Sequence, residues 1–208
     1  VRIARRYRVP QISTGDILRE AVTHGTTLGG EIRHQIEAGH LVPDETMVAI
    51  VRERLARADA ATGYVLDGFP RTEPQAKALD TITGGAGLLT VLLVDVPFEE
   101  LVRRLQSRRI CSTCGANAEP GVLDDARCSR CGGVFVSRVD DKDEVVRERL
   151  TVYLKETEPL VHYYQGRPTF FRINGNLAPA AVTAQVQQAL ATTRALATPG
   201  GTPVDARP

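Results

Sequence analysis

Apolar positions along the 208 residues switch between two spacings. Short apolar stretches bounded by glycine, proline or polar residues predict strands at 9–13, 63–66, 88–96 and 169–173. The stretch 88–96 is almost continuously apolar, as expected of a strand buried on both faces of a parallel sheet. Helical spacing fills the intervals, at 15–22, 28–38, 73–80, 98–109, 140–164 and 178–196. Ser13 and Thr14 followed by Asp16 form a helix-start signature, and Gly39 stands where a helix C-cap prefers glycine. Pro43, Asp44 and Glu45 open a further helix, with Met47, Val51 and Leu55 on one face. Strands alternating with helices predict an α/β fold, a three-layer parallel sheet flanked by helices. Residues 197–208 are rich in Pro, Gly and Thr and are expected to be a disordered tail.

Composition narrows the function classes. Hydrophobic residues make up 42% and charged residues 25%, in the range of a globular protein. A net charge of +1 gives no global field for nucleic acid. The longest apolar run is far too short to span a bilayer, so no membrane partner is expected. Arg2, Arg5, Arg6 and Arg8 lack the apolar core and serine enrichment of a targeting segment, and an amphipathic helix end is expected there.

All four cysteines fall between 111 and 131, as Cys111-x-x-Cys114 and Cys128-x-x-Cys131, with thirteen residues between the pairs. Each pair puts two thiolates on one tight turn, and four thiolates complete a tetrahedral Zn²⁺ site. Such a closed site is structural, holding together a module with little core. The clustering also points to a reducing compartment, hence to the cytoplasm. His24, His34, His40 and His162 are scattered and are expected at the surface or in packing. A nucleic-acid-binding zinc ribbon is the competing reading, but Phe135 is this module's only aromatic side chain on which a base could stack.

The most informative stretch is 63–75. Asp67 ends an apolar strand, at the edge where open α/β sheets bind ligands. Pro70 constrains the turn that follows, Arg71 offers a planar fork suited to phosphate, and Gln75 offers an amide for a base edge. Asp67-Gly68-Phe69-Pro70-Arg71-Thr72-x-x-Gln75 resembles the monophosphate-binding loop of the adenylate kinases. The similarity extends over nearly the whole chain. It implies a P-loop nucleotide kinase-like fold with a core at 1–13, 44–109 and 138–196, an AMP-binding helical segment at 14–43 and a zinc lid at 110–137.

The resemblance also implies site residues. Thr14 would contact the adenosine of AMP, Arg19 and Arg71 its phosphate, and Gln75 its adenine. The stretch His40, Leu41 and Val42 would line the base, and Gly68, Phe69 and Pro70 would complete the loop. Arg104 and Arg108 would hold ATP phosphates, and Leu177 would touch the ATP adenine through its backbone. Arg138 and Arg149 would close on the transferring group and on AMP, with Asp140 and Asp141 as hinge acids and Asp67 anchoring Mg²⁺-bound water. The implied reaction is reversible phosphoryl transfer from MgATP to AMP, with ATP and AMP as partners, Mg²⁺ and structural Zn²⁺ as cofactors, and a monomer as the working form. The pairing of Thr14 with Gln75 favours AMP over other nucleoside monophosphates. Another nucleoside monophosphate kinase and a non-catalytic nucleotide-binding protein are the alternatives.

One family element is not in the sequence. A phosphate-cradling Gly-x-x-x-x-Gly-Lys-Ser/Thr needs a lysine after glycine, and none of Lys77, Lys142 and Lys155 is so placed. The resemblance implies about twenty residues ahead of Val1, including the middle strand of the sheet, by family analogy. The 208 residues alone are then expected to be poorly folded and nearly inactive.

Overall fold

The computed structural model describes residues 2–84, 89–119, 121–122 and 126–197. Helix α1 (Arg2–Tyr7) leads into β1 (Gln11–Ser13), α2 (Thr14–Thr23), α3 (Thr27–Ala38) and α4 (Asp44–Leu55). Strand β2 (Val65–Asp67), α5 (Glu73–Ile82), β3 (Val91–Asp95) and α6 (Phe98–Gln106) follow. Strands β4 (Arg109–Cys111) and β5 (Phe135–Ser137) bracket the cysteine segment, and α7 (Asp143–Val152), α8 (Leu160–Tyr164), β6 (Phe170–Asn174) and α9 (Pro179–Ala197) complete the chain. Of the tail expected at 197–208, residues 198–208 lie outside the described residues, and Ala197 belongs instead to α9 as its last residue.

The helix starts follow the chemistry of their first residues. Ser13 caps α2 by accepting the Asp16 N–H, and Thr72 caps α5 by accepting the Gln75 N–H. Gly39 closes α3 in the left-handed region, with φ 79°. The helix expected at 140–164 is divided instead: a 3₁₀ turn at Val139–Asp141, α7, a wide π turn at Tyr153–Thr157, then α8. Pro159 accounts for the second break, because it has no N–H to continue the ladder. The Glu158 N–H reaches back five residues to the Tyr153 carbonyl at 2.8 Å.

Strand pairing is parallel but in two separate pairs. In β1–β2, Ser13 lies opposite Asp67; in β3–β6, Val91 lies opposite Phe170. Among the described residues no strand joins β2 to β3. A cavity of about 1180 Å³ lies there, and consecutive residues of both strands line it, so strand edges border it rather than faces. This corrects the expectation that 88–96 is buried on both faces: Val94 is 53% exposed, and β3 covers only Val91–Asp95.

The largest apolar cluster joins Ile32, Val42, Met47, Val51, Phe69 and Leu79, from α3, α4, α5 and the loop after β2. Burying such side chains contributes about 1.5–3 kcal/mol each. The cluster therefore fixes the 14–43 segment firmly against the loop that carries Arg71.

Candidate functional site: a guanidinium-lined pocket and a four-sulfur cluster

Pairing of Ser13 with Asp67 sets the start of α2 against the loop after β2. Thr14, almost fully buried, donates from Oγ1 to the Gly68 carbonyl at 2.9 Å. Arg71 donates from Nε to the same carbonyl at 2.9 Å. Gly68 has φ 79°, and a Cβ there would lie 3.0 Å from Arg71 Nη2 and 3.1 Å from Thr14 Oγ1. Glycine is needed for both the backbone angle and the space. Phe69 packs into the core beneath, which anchors the loop.

Thr14, Arg19, His40, Leu41, Val42, Gly68, Arg71, Gln75 and Arg149 line one cavity of about 70 Å³. These residues are far apart in sequence, and tertiary packing brings all of them together. Leu18, Ile36 and Met47 give the cavity an apolar wall. Of the other residues expected there, Phe69 lies in the core, Pro70 lines the larger cavity and Arg138 stands beside Asp16 at 3.9 Å.

Like charges crowd this site. Burial lowers the Arg71 pKa most, the nearby Arg149 and Arg19 guanidiniums lower it further, and Asp67 opposes them. Arg138 is lowered by burial, then by Arg19 and Arg108, against Asp140 and Asp141. Both remain charged, since arginine starts far above neutral pH. Buried carboxylates offset the repulsion. Asp140 takes Arg149 at 3.2 Å and Arg19 at 3.6 Å, while Asp141 takes Arg108 Nε at 2.8 Å and Arg149 at 3.7 Å. Asp16 pairs with Arg19 and Arg138. Arg138 Nε is buried with no hydrogen-bond partner among the described residues. A buried donor left unmatched amid cations is what an anionic oxygen would satisfy.

Residues expected on the donor side lie outside that cavity. Arg104 donates to the Gly175 carbonyl at 2.9 Å and to Glu100 at 2.6 Å, which holds α6 against the loop after β6. Leu177, 41% exposed, stands on that loop. Arg108 connects to the pocket through Asp141. Asp67 accepts from Gln11 Nε2 at 3.0 Å and lines the larger cavity.

Gln75 is 2% exposed and both ends of its amide are engaged. Oε1 accepts the Arg71 N–H at 2.8 Å, and Nε2 donates to Asp44 Oδ1 at 2.7 Å. Sequence reasoning read Asp44 and Asp16 only as helix-start acids. Nothing in local spacing distinguishes a capping carboxylate from one that also reaches across to another element.

The four cysteine sulfurs lie within 4.8 Å of one another, with Cys111–Cys131 at 3.4 Å and Cys114–Cys128 at 3.8 Å. A tetrahedral Zn²⁺ with Zn–S near 2.3 Å sets its sulfurs about 3.8 Å apart, so the donor set fits a structural Zn²⁺ ion. Backbone N–H groups, first that of Cys114, pull the Cys111 thiol down to about 6. At Cys131 the Gly133 N–H lowers the pKa, but the neighbouring sulfurs Cys111 and Cys114 push it up to about 12. Four thiolates at this spacing repel one another, and a divalent cation resolves that conflict. Among the described residues apolar support is slight, with Phe135 the one aromatic side chain packed on Cys111 and Cys128.

Residues 1–168 match the family model for adenylate kinase. The chain is 45% identical over 190 residues to an adenylate kinase of Kosmotoga olearia, covering 89% of this chain and 88% of that protein. It is 47% identical over 180 residues to one from Methanothrix thermoacetophila, covering 83% and 82%. It is 42% identical over 201 residues to one from Nitrosococcus oceani, covering 93% and 92%. These matches, with the pocket and the sulfur cluster, place the chain in the adenylate kinase family, which transfers a phosphoryl group between ATP and AMP to give two ADP.

Proposed function

We propose that the cavity beneath α2 is the AMP site and that the cations around Asp140 and Asp141 bind the phosphates during transfer. The convergence of Arg19, Arg71 and Arg149 on one apolar-walled cavity carries this reading. Guanidiniums gathered so closely are stable only with an anion among them, and a phosphate presents oxygens that a planar fork grips in pairs. Thr14 and the stretch His40–Val42 hold the adenosine, Arg19 and Arg71 hold its phosphate, and Gln75 reads the base.

A cavity of about 70 Å³ is far smaller than the several hundred that ligand pockets of nucleotide size occupy. AMP enters when the pairs linking α2 to the segment 138–141 part, namely Arg19 with Asp140 and Arg138 with Asp16. The arginines then exchange carboxylate oxygens for phosphate oxygens at little electrostatic cost. Arg108, Arg138 and Arg149 neutralise the transferring group, where charge stabilisation and alignment supply most of the rate. Mg²⁺ carried with ATP supplies the remaining charge neutralisation between phosphates. Asp67 would hold water bound to that ion, Arg104 orients the ATP phosphates, and the Leu177 backbone meets the donor adenine. The segment 110–137 acts as a lid that keeps water from the phosphates. The protein works as a cytoplasmic monomer.

The test uses equilibrium binding of AMP, CMP, UMP and GMP to the 208-residue chain. AMP is expected to bind most tightly. Preference for a pyrimidine nucleotide, or no binding of any monophosphate, overturns the reading.

A further inference from the structure

The pocket contains a carboxylate that touches no expected ligand yet governs a group that would. Asp44 is the first residue of α4, and its Oδ1 accepts from Gln75 Nε2 at 2.7 Å and from Thr72 Oγ1 at 2.9 Å. On its other side, Gln75 Oε1 accepts the Arg71 backbone N–H at 2.8 Å. A carboxylate only accepts and a backbone N–H only donates. The amide of Gln75 therefore has one permitted orientation, Nε2 toward Asp44 and Oε1 toward Arg71.

We propose that Asp44 is a positioning residue that sets base specificity by fixing the polarity of the Gln75 amide. The inference rests on the reading of this cavity as the AMP site. An amide has two N–H groups and two acceptor lone pairs, and each partner takes one. One N–H and one lone pair of fixed sense remain on a side chain that lines the cavity and is 2% exposed. Adenine presents N1 as an acceptor beside its 6-amino donor. A 6-oxopurine presents the reverse, an N1–H donor beside an oxygen acceptor. Turning the amide over would suit the 6-oxopurine, but it would point Oε1 at the Asp44 carboxylate and Nε2 at the Arg71 N–H. Two buried mismatches oppose that flip, so discrimination between the bases is built into the free protein.

This role of Asp44 is distinct from that of a charge at a helix end. Glu45 is also an acid in the first turn of α4, but it is exposed. A charge lost at Glu45 alters the helix end without touching the amide.

The experiment measures binding of AMP and of inosine monophosphate by titration calorimetry to the full 208-residue chain and to the variants Asp44→Asn, Asp44→Ala and Glu45→Gln. In Asp44→Asn the new amide pairs with either end of Gln75, and in Asp44→Ala the constraint on that side is gone. Both should reduce the ratio of AMP to inosine monophosphate affinity by about tenfold or more, and Glu45→Gln should leave it within about twofold. Exchange of the Gln75 side-chain amide protons, followed by NMR without nucleotide, should be slow in the parent chain and faster in both Asp44 variants. A uniform loss of affinity for both nucleotides, with the ratio intact, or unchanged amide exchange in folded Asp44→Asn overturns the inference. If the parent chain binds neither nucleotide, the AMP-site reading fails, and this inference falls with it.

Discussion

The arginine-lined pocket and the cysteine segment are held in shape by different forces. Beneath the pocket, Ile32, Val42, Met47, Val51, Phe69 and Leu79 form a continuous apolar cluster. The cations above it are balanced by the buried carboxylates Asp140 and Asp141. That region carries its own apolar core, and internal acids balance its charges. Between β4 and β5 the balance is reversed. Among the described residues, Phe135 and a few smaller side chains pack on two buried cysteines, and the sulfurs themselves form the centre. The pocket can therefore tolerate loss of a ligand, whereas the cysteine segment depends on its metal.

Removing the metal should give the largest effect. Apparent binding energies of structural zinc are about 10–16 kcal/mol, so Cys111→Ser with Cys114→Ser should release the ion and unfold the 110–137 segment. Elemental analysis should find one Zn²⁺ per parent chain and none in the variant. Hydrogen exchange should lose protection in that segment and keep it in α3 and α4. A parent chain without zinc, or equal loss of protection in both regions, breaks the contrast.

Arg71→Ala should come next. Loss of a hydrogen bond involving a charged group costs about 1.5–3 kcal/mol, which is about 10- to 100-fold in affinity. Calorimetry should show that loss for AMP, with ATP affinity nearly unchanged. Equal losses for both nucleotides contradict the assignment of Arg71 to the acceptor side.

Gly68→Ala probes the loop itself. A residue other than glycine at φ 79°, crowded by Arg71 and Thr14, should cost about 1–3 kcal/mol of stability. Thermal unfolding should shift downward while zinc content stays the same, since the four sulfurs sit apart from this loop.

The smallest effect concerns Asp80 and Arg167, a pair that lines neither the pocket nor the sulfur cluster. Asp80 accepts from Arg167 and from Tyr163 Oη, and Arg167 above all holds its pKa below the ordinary value of 3.8. Its contribution is complete above the unfolded pKa and is lost as pH falls through the lower folded value. Arg167→Gln should cost about 0.5–1 kcal/mol near neutral pH, and the difference from the parent should shrink below about pH 4. A difference that is constant down to pH 2 would show that packing of Arg167 on Tyr163 and Tyr164, rather than charge, is responsible.

Local chemistry made most elements readable. The caps at Ser13 and Gly39, the proline and acids opening α4, and the apolar strands all appear in the sequence close to their positions in the fold. Long-range competition decided where reading failed. The break at 153–159 came from one proline overriding an otherwise helical pattern, and β3 is partly exposed because its edge borders a cavity. The pocket residues were legible because the loop after β2 carries an unusual set of residue types in a short span. The carboxylates that balance its arginines were read as helix starts or hinge residues, since their partners lie many residues away.

From residue order alone came the α/β alternation, the four-thiolate cluster and the family to which the chain belongs. Each rests on neighbours in the chain, where backbone preference and ligand spacing act locally. Folding in three dimensions decided which charges face one another: that Asp140 holds Arg19 and Arg149, and that Asp44 turns the amide of Gln75. Coulomb and hydrogen-bond energies depend on distances of a few ångströms, and only packing of separate elements sets those distances.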